Sequence, residues 1–361
     1  MPQGGLFRQR DPEKLRLGCV RAAPLPGARL QNYYLIDQSY PDRQLRCAPL
    51  FSRGWVFQER MLAVRVIYFA EEQVFWECGE ECKCEAFPAG IPFAPNSKDK
   101  LPQILARDAT ATLEHFECPS CAIFREWNIL VQRYSECQFT HAGDKLSAFM
   151  GIASYFPVSA QNNYAFGMWK PRIVDQLGYV VEKPAMKRSS AYRAPSWSWA
   201  SLDGPIMAPH LNEEPYTHIS VQVDYMHLGQ LHLRGVLTRA TYSHATSSRK
   251  ADIFLESRKV LNVIILRDHL GIEMKKGKPF TLLALQSGLE PCPYLGCLVL
   301  EPILCALPRT TYRRIGFTHV FQREELNAAI VEPEMYAALG IIMAKGSSTV
   351  EQSRLSDIVI I

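Results

Sequence analysis

The sequence predicts an α+β protein, in which a helix-rich segment with short strands precedes an antiparallel β-sandwich or open barrel. Three observations predict it. Apolar residues recur at helical spacing between residues 51 and 180. Short β-branched runs separated by turn residues take over after residue 206. An apolar fraction of 47% against a charged fraction of 21% is that of an ordinary soluble domain, and 361 residues supply a sizeable core. The expected division is an irregular connector over 1–50, the helix-rich segment over 51–205 and the β domain over 206–361.

Residues 1–50 are rich in Pro, Gly, Arg and Gln, and only Asn32-Tyr-Tyr-Leu-Ile36 reads as a strand, one expected to lack neighbours. The pattern turns helical at Ser52. Trp55, Gln58, Glu59 and Leu62 fall at i, i+3, i+4 and i+7, one helix stripe with Ser52 as its N-cap. Val64–Phe69 and Gln73–Trp76 read as strands with Glu71-Glu72 in the turn, and residues 88–100 as loop. Ser120–Ser135 is an amphipathic helix with Phe124, Trp127, Val131 and Tyr134 on one face. Asp144–Phe156 is another, with Leu146, Phe149, Met150 and Ala153 on one face and Asp144 at its positive start. Trp169–Val180 is a third.

Past Asp203-Gly204, the runs His218–Leu228, Gln230–Ala240, Val260–Arg267, Pro279–Gln286, Leu295–Leu300 and Tyr312–Phe321 read as strands. Leu231, Leu233 and Leu237 share a face, with His232 and Arg234 opposite, as half-buried antiparallel strands require. Glu324–Leu339 reads as a helix interrupted at Pro333, and Asp357–Ile361 as a closing strand.

Composition narrows the function. A net charge of +4 with scattered basic residues leaves no nucleic-acid face, the densest cluster being the turn Lys275-Lys276-Gly-Lys278. No apolar run reaches the roughly 18 residues that span a bilayer. The start lacks an apolar signal region and no Asn-x-Ser/Thr acceptor occurs, so a cytoplasmic chain with reduced thiols is expected. Cys78, Cys82 and Cys84, with Cys118 and Cys121, invite a zinc reading. The first three are irregularly spaced among glutamates, so buried or idle thiols and no bound metal are the expectation. Nucleophile-elbow, P-loop, zincin and dinucleotide-binding signatures are absent. No cofactor and no catalytic residue are expected in this chain alone.

Two tryptophan-bearing strings stand out, Arg53-Gly-Trp-Val-Phe-Gln-Glu-Arg60 and Tyr192-Arg-Ala-Pro-Ser-Trp-Ser-Trp-Ala-Ser201. The first runs on through Val64-Arg-Val-Ile-Tyr-Phe69 to Phe75-Trp-Glu-Cys78. Between them lie Trp127-Asn-Ile-Leu-Val-Gln-Arg-Tyr-Ser135, Asp144-Lys-Leu-Ser-Ala-Phe-Met-Gly-Ile-Ala153 and Tyr164-Ala-Phe-Gly-Met-Trp169. In order and spacing these strings resemble the second half of the fungal heterokaryon-incompatibility (HET) domain and the segment that follows it, over about residues 5–205. The closing Asp357-Ile-Val-Ile-Ile361 is similar to the Ile-rich ending of such proteins.

The resemblance implies a role in non-self recognition and programmed cell death, exercised through contacts with another HET protein or a signalling protein. The family's first-half strings, aliphatic-Tyr-x-Ala-Leu-Ser-Tyr-x-Trp-Gly and Leu-Trp-Ile-Asp-x-x-Cys-Ile-Asn-Gln, do not occur, so a truncated HET protein is expected. The family is suggested to be distantly related to TIR domains, some of which cleave NAD. That gives an alternative, a nucleotide-consuming enzyme that needs the first half and would use Glu59. An inert or dampening fragment is a third reading.

The motif residues also have ordinary readings. Either Trp55 packs inward while Arg53, Gln58 and Glu59 anchor loops beside Arg60, or Gln58 and Glu59 border a ligand pocket. Trp197 and Trp199 alternate with serines, so on a strand both indoles share a face. They join the helical and β parts, with Tyr192 and Arg193 extending the contact by stacking, or else form a ligand platform. Strand edges left without their family neighbours favour aggregation or capture of a partner.

Overall fold

Short apolar runs broken by turn residues leave each strand here to find its neighbour across a tight connection, and the first unit is built that way. The computed structural model describes residues 10–35, 45, 48–79, 81–92, 119–156, 163–185, 188, 191–209, 222–227, 229–245, 250–255, 258–288, 294–303, 310–321, 342–344, 347–349 and 355–361. They group into two units, Met1–Ala111 with Cys137–Phe139, and Thr112–Glu136 with Thr140–Ile361.

In the first unit β1 (Gly18–Ala22) and β2 (Gln31–Leu35) pair antiparallel, so the strand expected to stand alone at Asn32 has a neighbour. Helix α1 (Gly54–Leu62) follows a 3-10 turn, Pro49–Ser52. Its N-cap is Arg53, not Ser52, because the Ser52 hydroxyl donates back to the Pro49 carbonyl at 2.8 Å. Gly54 and Met61 are its buried residues, whereas Trp55 is 42% exposed, so the Trp55–Leu62 stripe is not the inward face. Strands β3 (Arg65–Phe69), β4 (Val74–Cys78) and β5 (Cys82–Cys84) form an antiparallel sheet in that order. Period-two alternation places Val66, Tyr68 and Phe75 in a core with Leu45, Cys84, Phe87 and Ile91. Glu77 shares the inward parity of Phe75 and is buried, while Ile67 and Phe69 are more than half exposed on the other face.

The second unit opens with α2 (Pro119–Ser135) and α3 (Asp144–Ser154). In α2 the expected Phe124, Trp127, Val131 and Tyr134 are all buried. In α3 the buried stripe runs through Lys145, Ala148, Phe149, Ile152 and Ala153, while Met150 is exposed. A tight hairpin, β6 (Tyr164–Ala165) and β7 (Met168–Trp169), follows. The stretch expected as a third helix is a 3-10 turn over Lys170–Arg172 and one helical turn, α4 (Ile173–Gln176). Pro171 fixes the 3-10 start, and Gly178 lies just past the helical turn. Strands β8 (Val180–Val181) and β9 (Ile206–Met207) pair with each other.

The rest is a large antiparallel sheet: β10 (Gln222–His227), β11 (Gln230–Ala245), β12 (Lys250–Leu255), β13 (Arg258–Arg267), β14 (Pro279–Gly288), β15 (Tyr294–Ile303) and β16 (Thr311–Phe321). The short β17 (Ile342–Ala344) and β18 (Ser347–Thr349) pair with each other, and β19 (Leu355–Ile360) pairs antiparallel with β11 and parallel with β16. The α+β class is therefore observed, but the β part is a closed ring of strands rather than the expected sandwich or open barrel. Because β11 also pairs with β14, the pairing β11-β12-β13-β16-β15-β14 returns to its start and the ring is closed. Closure removes the exposed edges that an open sheet presents. Ile253, Leu255, Val263, Ile265, Phe280, Leu282, Val299 and Ile315 belong to one buried cluster of this sheet. The strand Lys250–Leu255 was absent from the sequence expectation, and the expected helix Glu324–Leu339 lies outside the described residues.

Candidate functional site

The motif strings converge on two side-chain assemblies, one in each unit. In the first, Gly54 opens α1 where a side chain cannot go. A Cβ there would lie 1.9 Å from Phe139 Cε1, and the Gly54 and Gln138 backbones exchange hydrogen bonds with Gln138 and Ser52. Six residues on, Arg60 reaches the sheet. Its Nη2 donates to Glu77 Oε1 at 2.9 Å and its Nε to Glu77 Oε2 at 3.1 Å. Tyr68 donates its hydroxyl to Glu77 Oε2 at 2.5 Å and accepts from Arg60 Nε at 2.9 Å. The guanidinium also lies over the Phe51 ring, 5.1 Å from its centroid.

The electrostatics are those of a closed lock. Burial opposes the Arg60 charge, yet the hydrogen bonds and charge of Glu77 outweigh it and hold the guanidinium above its ordinary pKa. Burial is also the first cause that pushes the Tyr68 phenol above its usual range. With both Glu77 oxygens accepting and Tyr68 held neutral, the trio binds α1 to β3 and β4 and presents no free base or nucleophile. Glu77→Ala is expected to cost about 2–4 kcal/mol, because it strands a half-buried cation and a phenol without their acceptor. Urea unfolding measures this, and a loss under about 0.5 kcal/mol would show that the lock carries no stability.

The second assembly surrounds the β6–β7 hairpin. Phe166 and Gly167 both have positive φ, 50° and 86°, and a Cβ on Gly167 would meet the Trp199 indole at 2.7 Å. The Gly167 carbonyl accepts from two indoles, Trp199 Nε1 at 2.9 Å and Trp127 Nε1 at 3.3 Å. Trp127 lies with its ring centroid 4.9–5.7 Å from those of Phe149, Phe156, Tyr164 and Trp169. Trp199 meets Tyr134 and Phe149 edge-on. Lys145 is buried there, donating to the Leu202 carbonyl at 2.6 Å with its Nζ 5.3 Å from the Trp199 ring centroid.

Ser196-Trp-Ser-Trp199 is not a strand. The Ser198 hydroxyl accepts from the Ala200 N–H and starts a 3-10 turn over Trp199–Ser201, so the two indoles diverge. Trp199 enters the helical core, while Trp197 packs on Phe166 and donates to the Gly229 carbonyl at 2.9 Å, beside the start of β11. Between them they do join the helices to the sheet. Arg193 takes part through hydrogen bonds rather than stacking, to the Ala200 carbonyl at 2.6 Å and Asp203 at 2.5 Å, whereas Tyr192 is 76% exposed.

Of the first string, Arg53 is exposed and bridges Gln138, Trp55 and Glu59 are exposed, and Gln58 is half-buried. Only Arg60 enters the core assembly. Sequence reasoning missed Glu77 and Tyr68, although both lay inside the quoted strings. A carboxylate at the inward parity of a strand, next to Phe75, was the available signal. It also missed Arg314, which is fully buried and joins the barrel to α4. Its Nη1 donates to the Leu177 carbonyl at 2.7 Å, its Nη2 to the Tyr179 carbonyl at 2.5 Å and its Nε to Asp268 at 3.2 Å. The guanidinium carbon sits 3.5 Å from the Tyr179 ring centroid.

Cys78 and Cys82 are half-buried, and Cys84 is buried with its thiol pKa raised by that burial. The side chains of Cys118 and Cys121 lie outside the described residues. Among the described residues no group of three or more His, Cys, Asp or Glu side chains is placed to hold a metal ion. No helix among them is long and apolar enough to cross a membrane. Comparison of the chain with protein-family models, curated proteins and solved structures finds no match.

Proposed function

We propose that this chain is a heterokaryon-incompatibility protein, acting in programmed cell death through contacts with other proteins. One observation carries the reading: the residues that bear the HET resemblance meet in space. Arg60, Tyr68 and Glu77 come from three quoted stretches and form one lock. Trp127, Lys145, Gly167, Trp169 and Trp199 come from four more and form one core. Motif residues that hold a fold together are what a family signature of structural origin looks like. The exposed apolar face of β3, with Ile67 and Phe69 more than half exposed, suits a contact role. The alternative of NAD cleavage draws no support from the geometry, since Glu59 is exposed on α1 and both Glu77 oxygens are engaged by Arg60 and Tyr68.

The test is inducible expression in a filamentous fungus, alone and beside an intact HET-domain protein, with hyphal viability scored by dye exclusion. The chain is expected to cause death alone or to change the death its companion triggers, and Glu77→Ala is expected to weaken either effect. Unchanged viability in both settings, at verified expression, would sink the reading.

A further inference from the structure

The β1–β2 hairpin belongs to neither assembly, and its exposure does not match its sequence. Opposite residues of an antiparallel pair share a face, so the register of Gly18 with Leu35, Val20 with Tyr33 and Ala22 with Gln31 places Val20, Ala22, Tyr33 and Leu35 on one side. Cys19, Arg21, Asn32 and Tyr34 take the other. Such a division normally buries its apolar side. Here Val20, Tyr33 and Leu35 are all exposed, as is every other residue of the two strands but Ala22. A two-stranded hairpin is marginal in water by itself, so an uncovered apolar side weakens it further.

The connection between the strands is just as apolar, and it is held in shape. Leu25-Pro26-Gly27-Ala28 forms a turn in which the Ala28 N–H donates to the Leu25 carbonyl at 3.0 Å. Pro26 fixes the first central position and Gly27, at φ 85°, supplies the left-handed second one, the pair that a type II turn takes. The turn holds Leu25 70% exposed, with Leu30 exposed beyond it. A turn already fixed in this form loses little entropy when its leucines are taken up by a partner.

Charge names the partner. From Lys14 to Ile36 the sequence carries four basic residues, Lys14, Arg16, Arg21 and Arg29, and no acidic one. Arg16 pairs with Glu13 at 2.9 Å, while Arg21 and Arg29 are exposed on the hairpin itself. A second copy of the hairpin would set these guanidiniums against their own kind, which is destabilising. A lipid surface with anionic headgroups answers both features, with an acyl boundary for the leucines and phosphates for the guanidiniums, and tyrosines favour the interface between the two. We propose that the β1–β2 hairpin docks on anionic membranes, with Leu25 and Leu30 entering the headgroup–acyl boundary and Arg21 and Arg29 engaging lipid phosphates.

Flotation of the whole chain with vesicles of phosphatidylcholine containing about one-third phosphatidylglycerol tests this. Saturable association is expected, at least tenfold stronger than with phosphatidylcholine alone. It is expected to weaken at least tenfold both in Leu25→Asn/Leu30→Asn and in Arg21→Gln/Arg29→Gln. All four residues are exposed, so both variants are expected to keep the parent fold, which circular dichroism checks. The proposal is overturned if the chain floats equally with the two kinds of vesicle, floats with neither, or keeps its binding in either double variant. A concentration-dependent dimer in sedimentation without lipid, abolished by Leu25→Asn/Leu30→Asn, would overturn it too and assign the hairpin to a second copy. Vesicle binding is read without reference to cell death, so it and the viability test can fail separately.

Discussion

Replacing Arg314 by Ala is expected to cost about 3–5 kcal/mol, the range for removing one partner of a fully buried pair. The loss has three parts. Asp268, 3% exposed, becomes a buried carboxylate without its counter-charge. The Leu177 and Tyr179 carbonyls lose the donors that reach them at 2.7 and 2.5 Å, and the Tyr179 ring loses the cation stacked on it. Arg314→Lys is expected to fare little better, since one ammonium cannot serve a carboxylate and two carbonyls in a planar fork. The double change Arg314→Met/Asp268→Leu is expected to recover a large part of the loss, because it removes the stranded charge along with its partner. Urea unfolding of the three variants decides it. A double variant no better than Arg314→Ala would mean that the carbonyl contacts, not the charge, dominate.

Trp127→Ala is expected to cost about 3–5 kcal/mol as well, by opening a cavity at the centre of the helical core. The residue is 1% exposed and touches four aromatic rings. Gly167 keeps one of its two indole donors, so cavity formation rather than hydrogen bonding sets the size of the effect. Trp55→Ala supplies the contrast. That indole is 42% exposed, and its removal is expected to change stability by less than about 1 kcal/mol. Equal losses from the two substitutions, measured by denaturant unfolding, would contradict the separation of the motif into core and surface residues.

Much of the element order was legible because periodicity reports which side of an element is dry. Phe124, Trp127, Val131 and Tyr134 recur at helical spacing and all are buried. Leu231 and Leu233 are buried and Arg234 is exposed as a half-buried strand requires, but His232, expected on the outer face beside Arg234, is buried as well. Further along, Leu237 is only half-buried while Val236, Thr238 and Ala240 are buried. The cause is a change of neighbour, since β11 pairs with β19 up to Val236 and with β14 from Leu237. No local pattern announces such a switch, and the closing of the barrel rests on it.

The candidate site was less legible for a related reason. The strings drew attention to their rarest residues, the tryptophans, whereas the first assembly is organised by a carboxylate. Glu77 reads as an ordinary strand charge until Arg60 and Tyr68 are brought to it from 17 and nine positions away. Arg314 and Asp268 lie 46 positions apart, and sequence spacing gives no reason to pair them. The Ser196–Trp199 alternation misled in the opposite sense, because a serine that bonds its own backbone imitates the period of a strand.

The backbone and hydroxyl of Ser196 both donate to the Ile361 carbonyl, across 165 positions of chain. That link has a consequence for biosynthesis. A nascent chain emerging from the ribosome folds its helices and hairpins from local contacts, but β11 lacks its β19 neighbour until residues 355–360 are out. The serine that anchors the tryptophan segment waits just as long. Assembly of this unit is therefore expected to be an event of high contact order, slow and exposed to chaperones, however early its helices form.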